Sequence, residues 1–299
     1  MIYAPFRELA FASSLIFIPT ALASLSLYPT FWSKSLNVHF GYYYWGMIPC
    51  SLEQMLRQMN DHLQHLLDFE ASQPTTVLDI GCGYGSTALQ LLQAFPNVEL
   101  VGINANASEV AVANEMISTA NLQERAKFVV ADFQNTPFPD NSFDAAYALE
   151  SACFAEGETK SKLVKEIARL LRPGGRFVVV DGFRKHDRPL PMLVDWLYQK
   201  SLAAWWMPSL APIDGFEKAL QKQGFEKITI KDISWNIAPS LAHIPVVAMK
   251  LFAAHLVKND MEKRRYLQAL LLTLALSPFM RHFGYYSVTC VKTTVESKK

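Results

Sequence analysis

Two hydrophobic rhythms alternate through the middle of this chain. Thr75–Ile80 is a short β-branched and apolar run, the composition of a strand buried on both faces, and Val98–Asn104, Ala126–Val130, Phe143–Leu149 and Arg176–Asp181 read as four further strands. Between them, Ser86–Ala94, Ser108–Ala120 and Lys160–Leu171 space their apolar residues at the helical period, with Ser108 as a cap. Arg172-Pro173-Gly174-Gly175 reads as a turn before the fifth strand. This order predicts an α/β fold with a doubly wound, mostly parallel, Rossmann-like sheet. Such sheets bind ligands outside the carboxyl ends of their strands, where Gly81, Asn104, Asp132 and Glu150 fall.

The flanks have a different rhythm. Residues 1–74 form an apolar, aromatic-rich helical cap, and Ser51–Phe69 is a helix with Ser51 as its cap. His62 and His65 lie on that helix without a third ligand, so they read as surface or groove residues rather than a metal site. No charged residue occurs from Leu9 to Ser33. Three readings stay open for this stretch: a cap on the core or a membrane surface, a membrane span, or a signal peptide cleaved near Ala21-Leu22-Ala23. Residues 75–182 are the core. Residues 183–299 supply substrate-side helices plus closing strands, among them Asp214–Gln223, the strand Phe225–Ser234 and an edge strand over Tyr286–Val291. Leu241–Val257 and Tyr266–Met280 are long apolar stretches.

Composition narrows the partners. A net charge of +1 gives no field to attract nucleic acid. The 4 cysteines are far apart and spell neither a zinc site nor a disulfide framework, which fits a cytoplasmic enzyme. With 51% hydrophobic and 18% charged residues the chain is apolar for a soluble protein. Peripheral or N-terminal attachment to a membrane, and a homo-oligomeric contact, therefore stay open.

The chemistry centres on Val77-Leu78-Asp79-Ile80-Gly81-Cys82-Gly83-Tyr84-Gly85. A buried strand ends in an acid, and Gly81, Gly83 and Gly85 allow a tight turn that a ligand can approach closely. The following helix aims its free N–H groups at that turn. The spacing is G-x-G-x-G rather than G-x-G-x-x-G, and Asp79 would repel a pyrophosphate but attract a cation or an ammonium group.

This segment resembles the acid-and-glycine motif of class I S-adenosylmethionine-dependent methyltransferases. Within that class, Val101–Asn106, Asp132-Phe133, Pro137–Asp144 and Tyr147–Cys153 resemble the sterol C-methyltransferase branch, and Asn236–Pro239 a late segment of the related tocopherol methyltransferases. The resemblance implies S-adenosyl-L-methionine as cofactor. Asp79, Gly81, Cys82, Gly83 and Gly85 would meet its amino-acid end. Asn104 and Asn106 would meet the ribose in place of the usual acid. Asp132 and Phe133 would meet the adenine.

His39–Gly46 resembles the aromatic segment that precedes the cofactor domain in these families, with different spelling. If the acceptor is an alkene, methyl addition leaves a cation. Tyr42, Tyr43, Tyr44 and Trp45 can face that cation, and Glu150 is the acid placed to remove a proton. The expected function is methylation of a lipophilic small molecule, with carbon methylation of an isoprenoid or sterol-like alkene favoured. O- or N-methylation of a phenol, quinol or amine is the alternative, and a non-catalytic membrane-associated protein with a retained cofactor fold is a third reading.

Overall fold

The computed structural model describes residues 31–46, 51–70, 73–257 and 261–294. The apolar run Leu9–Leu27, and the choice between cap, span and signal peptide, lie outside the described residues.

A seven-stranded sheet organises the protein in the order β3-β2-β1-β4-β5-β7-β6. The strands are β1 (Thr75–Ile80), β2 (Val98–Asn104), β3 (Ala126–Val130), β4 (Phe143–Leu149), β5 (Leu171–Arg184), β6 (Phe225–Asp232) and β7 (Phe283–Lys292). The pairs from β3 to β5 are parallel, and β7 runs antiparallel to both β5 and β6. The helices are α1 (Leu52–Leu67), α2 (Ser86–Ala94), α3 (Ala107–Thr119), α4 (Ser161–Leu170), α5 (Met192–Trp205), α6 (Ile213–Lys222), α7 (Ser234–Leu241), α8 (Ile244–Val257) and α9 (Met261–Leu276).

Successive strand residues feed opposite sides of the sheet. Leu78, Ile80 and Ile103 join a core with Leu163 and Ile167 of α4 and Phe216 of α6. Val77, Leu100 and Tyr147 join another with α1, α2 and α3. Both faces are covered, which is why β1 to β4 read as dense apolar runs.

Three expectations change. The cap of α3 is Asn106, whose side chain accepts from the Ser108 backbone N–H, so the helix starts one residue before Ser108. Arg172–Gly175 does not precede β5 but bulges within it: Phe143 pairs with Leu171 and Ala145 with Arg176. β7 is an interior strand, and β6 forms the edge. The alternation over β7 is weak because Tyr286 and Val288 enter one core while Tyr285 enters the other.

A third cluster lies outside the sheet. Trp32, Leu56 of α1, Ile244, Val247 and Leu251 of α8 and Leu270 of α9 pack together. α9 packs against both α5 and α8, so these helices form a layer beside the sheet.

Candidate cofactor and acceptor site

The cradle forms where β1 ends. Gly81 has φ +74°, and a Cβ there would stand 2.4 Å from Cβ of Ser151, so no larger residue fits without displacing the turn. The backbone N–H groups of Gly81 and Cys82 both donate to the Ile103 carbonyl, at 2.8 and 3.0 Å. Gly85 caps α2 without a side-chain hydrogen bond, leaving the first turn of that helix facing the cradle.

A small cavity sits against this turn. Asp79, Gly81, Cys82 and Tyr147 line its floor, and Leu36–His39 of the segment before α1 line its other side. Asp79 and Tyr147 are register partners on β1 and β4. Oδ2 of Asp79 and the hydroxyl of Tyr147 are buried with no hydrogen-bond partner among the described residues. Burial pushes the Asp79 carboxyl up to about 7, and the Tyr147 hydroxyl beside it offsets this only in part, because it falls short of hydrogen-bond geometry. A buried acceptor that lacks a donor fits a ligand that brings one. The ammonium at the amino-acid end of S-adenosylmethionine is such a donor, and the glycine turn leaves backbone room for it.

Further along the same sheet edge, Asn104 and Asn106 do not act alone. Their side-chain amides donate to Glu109, at 2.6 Å to Oε2 and 3.0 Å to Oε1 respectively. Burial raises the Glu109 carboxyl while these two donors lower it. The acid missing from the end of β2 thus stands in the first turn of α3. An Asn-x-Asn-x-x-Glu spacing is the signal that could have found it. Asp132 follows β3 and accepts from the Gln134 N–H at 2.9 Å, and Phe133 packs on the adjoining core.

Glu150 follows β4 with φ +51°, a left-handed conformation that a glutamate adopts only when its surroundings hold it there. Its Oε1 accepts from the Phe40 backbone N–H at 2.6 Å and from the Tyr285 hydroxyl of β7. Burial pushes the Glu150 carboxyl up to about 8, against these two donors. Asp181 of β5 is buried nearby and accepts from the Cys153 N–H at 2.9 Å and the Gly182 N–H at 2.7 Å, which pins the turn after Glu150.

The aromatic segment divides. Tyr42 stacks on His62 of α1 with ring centroids 4.3 Å apart, and Tyr44 lies 4.7 Å from Tyr42. Tyr42 belongs to the sheet core, and His62 is buried rather than on the surface, its ring lowered to about 4 by burial. Tyr43 stands edge-on to Trp45, which is 63% exposed. The rings gathered beside Glu150 are Phe40 and Tyr285, 6.2 Å apart, with Trp32 6.0 Å from Phe40.

The structure therefore brings Asp79, Gly81 and Cys82 to one cavity. Asn104, Asn106, Asp132, Phe133 and Glu150 stand at the strand ends beside it, and Tyr42 and Tyr44 are directed into packing. Sequence reasoning missed Tyr147, Glu109, His39, Phe40 and Tyr285. Of the missed aromatics, only Tyr147 and Phe40 fell inside the segments whose spelling carried the resemblance.

A family described as "Methyltransferase domain" matches residues 77–175. The chain is 30% identical over 204 residues to 27-O-demethylrifamycin SV methyltransferase of Amycolatopsis mediterranei, covering 68% of this chain and 72% of that one. It is 31% identical over 212 residues to the sterol 24-C-methyltransferase of Saccharomyces cerevisiae, covering 69% of this chain but only 51% of the yeast enzyme. Among solved structures, the [4+2]-cyclase SpnF superposes with a TM-score of 0.70 at 23% identity, covering 88% of this chain and 93% of that one. That likeness speaks for the fold alone.

Proposed function

Because this chain belongs to the S-adenosylmethionine-dependent methyltransferases and is an enzyme of that family, we propose that it methylates a lipophilic small molecule, with carbon methylation of an isoprenoid or sterol-like alkene favoured. The observation that carries this reading is Glu150, a strained, partly buried acid at the carboxyl edge of the sheet that accepts from the Phe40 backbone N–H and the Tyr285 hydroxyl, with the Phe40 and Tyr285 rings 6.2 Å apart.

When bound, the cofactor supplies an activated methyl group on a positively charged sulfur. Asp79 and Tyr147 would hold its amino-acid end, Asn104, Asn106 and Glu109 would form the ribose side, and Asp132 and Phe133 would form the adenine side. In the alkene reading, the acceptor's π pair makes the bond to the methyl carbon. The methyl group's bonding pair would stay with the departing sulfur, and a cation would remain on the acceptor. The Glu150 carboxylate takes a proton from the adjacent carbon, and that C–H pair closes a new double bond. The aromatic faces of Phe40, Tyr285 and Trp32 stabilise the cation and exclude water.

An apolar surface supports a lipid-borne acceptor. On α8 the outward positions include Val246, Met249 and Phe252, exposed at 44%, 65% and 53%, and Trp235 before it is 69% exposed. Ser234–Ala254 is long and apolar enough to cross a membrane, but a third of it is buried in the fold, which favours lying on a bilayer over spanning it. Between Ser234 and Arg281 the acids are Asp260 and Glu262, against Lys250, Lys258, Lys263, Arg264, Arg265 and Arg281. That balance suits an anionic lipid surface. The occupant of the α8 face is then a bilayer, and the enzyme works at the membrane from the cytoplasmic side.

Labelled S-adenosylmethionine with a lipid extract should yield an apolar labelled product, and Glu150→Gln should slow it by about 10²–10⁴-fold while binding S-adenosylhomocysteine normally. An unchanged rate removes Glu150 as the base. Full-length protein should float with phosphatidylcholine–phosphatidylserine vesicles, and Met249→Asp with Phe252→Asp should not. Undiminished flotation, or a stable dimer that the same pair dissolves, overturns the α8 docking face. The similarity to a methyltransferase whose name gives an O-demethylated acceptor favours O-methylation as the second reading. Mass spectrometry of the product, locating the new methyl, separates the two.

A further inference from the structure

The segment before α1 is tied down by polar contacts at every other residue. The Ser86 hydroxyl donates to the Ser35 carbonyl at 2.6 Å. The Asn37 N–H donates to Ser33 Oγ at 3.2 Å, and the Asn37 side-chain oxygen accepts from Asn60 of α1 at 3.1 Å. Asn60 also takes a hydrogen bond from Thr87 of α2 at 2.9 Å. The result is a strap, Leu36–Phe40, fastened across the mouth of the cradle between α1 and α2.

His39 is the residue of this strap whose chemistry is unspent. It is 4% exposed and lines the same cavity as Asp79. Its Nδ1 lies 2.9 Å from the Phe40 carbonyl, which only accepts, so Nδ1 carries the hydrogen. Burial lowers the ring to about 4, which leaves it neutral, and Nε2 therefore presents a lone pair. Nε2 is buried without a hydrogen-bond partner among the described residues. The Asn60 side chain beside the ring offsets the effect of burial in part, but its amide nitrogen already donates to Asn37 Oδ1 and Gln90 Oε1, at 3.1 and 3.0 Å, and has no hydrogen left for Nε2. One cavity thus holds two buried acceptors without donors, one from the sheet and one from the strap. A buried acceptor left unpaired is costly, so a ligand that donates to both is favoured there.

We propose that His39 is a cofactor-binding residue: its Nε2 accepts from the ammonium of the cofactor's amino-acid end, sharing that group with Asp79. The same contact couples the two halves of the site. The residue after His39 donates its backbone N–H to Glu150, so a filled cradle holds Phe40 on the acid. This link rests on the base reading of Glu150; the binding role does not.

The test is calorimetry with S-adenosylhomocysteine and with methylthioadenosine, which lacks the amino-acid end. His39→Leu should weaken S-adenosylhomocysteine about tenfold or more and leave methylthioadenosine unchanged. His39→Gln, which keeps an acceptor, should recover part of the loss. Unchanged S-adenosylhomocysteine affinity overturns the proposal, and so does an equal loss for both ligands, which would mean packing. For the coupling, S-adenosylhomocysteine should slow hydrogen exchange at the Phe40 amide in the parent and not in His39→Leu. Equal slowing in both would remove the coupling and keep the binding role. A failure of Glu150→Gln to slow turnover would leave both measurements standing.

Discussion

The glycine-turn cradle and the acceptor side proposed around Glu150 are built by different means. The cofactor side is made of backbone: parallel strands, a glycine turn, a helix start, and carboxylates at strand ends. The acceptor side is made of side chains from distant parts of the chain: Phe40 from the strap, Glu150 after β4, Tyr285 from β7. A backbone-built site tolerates almost no change at its turn but can be recognised from a short segment. A side-chain-built site can be retuned by single substitutions, so it can vary its substrate while the cofactor stays the same.

Gly81→Ala breaks the backbone-built side most severely. The added Cβ meets Ser151 at 2.4 Å in a left-handed conformation. Several kcal/mol should be lost, with a fall in Tm of about 10 °C and no measurable S-adenosylhomocysteine binding. Gly46→Ala makes the control, since Gly46 also has positive φ (+94°) but meets nothing within 4 Å. It should cost only about 1–2 kcal/mol and leave cofactor affinity intact. Equal losses in thermal denaturation would erase the contrast between the two sides.

Asp79→Asn sharpens the contrast by separating function from stability. Burial raises Asp79 from 3.8 to about 7 in the folded protein. A raised value means the folded state holds the proton more tightly than the unfolded chain. The resulting stability is complete below about 3.8 and is lost as pH climbs to about 7. The asparagine variant has no such loss. Free of cofactor, it should be more stable than the parent at pH 8, by up to about 4 kcal/mol, and close to it at pH 4. Its S-adenosylhomocysteine affinity should fall at least tenfold. Parallel Tm-against-pH curves for the two proteins would mean that Asp79 is not the strained group.

How much could be read beforehand follows the same division. β1, β2, β3 and β4 are legible because strands buried on both faces must be continuously apolar, and short gaps keep their helices local. Asp79 and Gly81 are legible because strand, acid and turn lie within one stretch of chain. Phe40 and Tyr285 stand 110 and 135 residues from Glu150, and no local pattern records a contact at that distance. β7 escaped as an interior strand for a related reason: its two faces feed two different cores. The tyrosine run divides because aromatic residues answer equally to packing and to catalysis: Tyr42 stacks on His62 in the core, while Trp45 stays exposed.

Tyr285→Phe probes the side-chain-built half with a smaller effect. The Tyr285 hydroxyl donates to Glu150 and holds its carboxyl down from an already raised value of about 8. Without that donor the carboxyl should titrate still higher. A base must be ionised to act, so kcat/KM should rise with pH through the Glu150 titration in the parent. In Tyr285→Phe the rising limb should move upward by on the order of one pH unit, as a hydrogen bond to a charged group is worth about 1.5–3 kcal/mol. S-adenosylhomocysteine affinity should not follow it. A limb that stays in place would detach Glu150 from the proton transfer.

The smallest expected effect decides whether the exposed end of the aromatic segment belongs to packing or to the acceptor. Trp45 is 63% exposed and touches Tyr43 edge-on at 5.2 Å. Tyr43 is itself fixed by backbone bonding to Asn236 at 2.8 Å and needs no help from the indole. Trp45→Ala should therefore change stability by less than about 0.5 kcal/mol in chemical denaturation and leave S-adenosylhomocysteine affinity unchanged. Tyr42→Ala, which empties a place in the core beside His62, should cost about 3–5 kcal/mol. With folding and cofactor binding untouched, Trp45→Ala is a clean probe of the acceptor. A raised KM for the lipophilic substrate alone would place this indole at the acceptor entrance, and an unchanged KM confines cation-facing rings to Phe40, Tyr285 and Trp32.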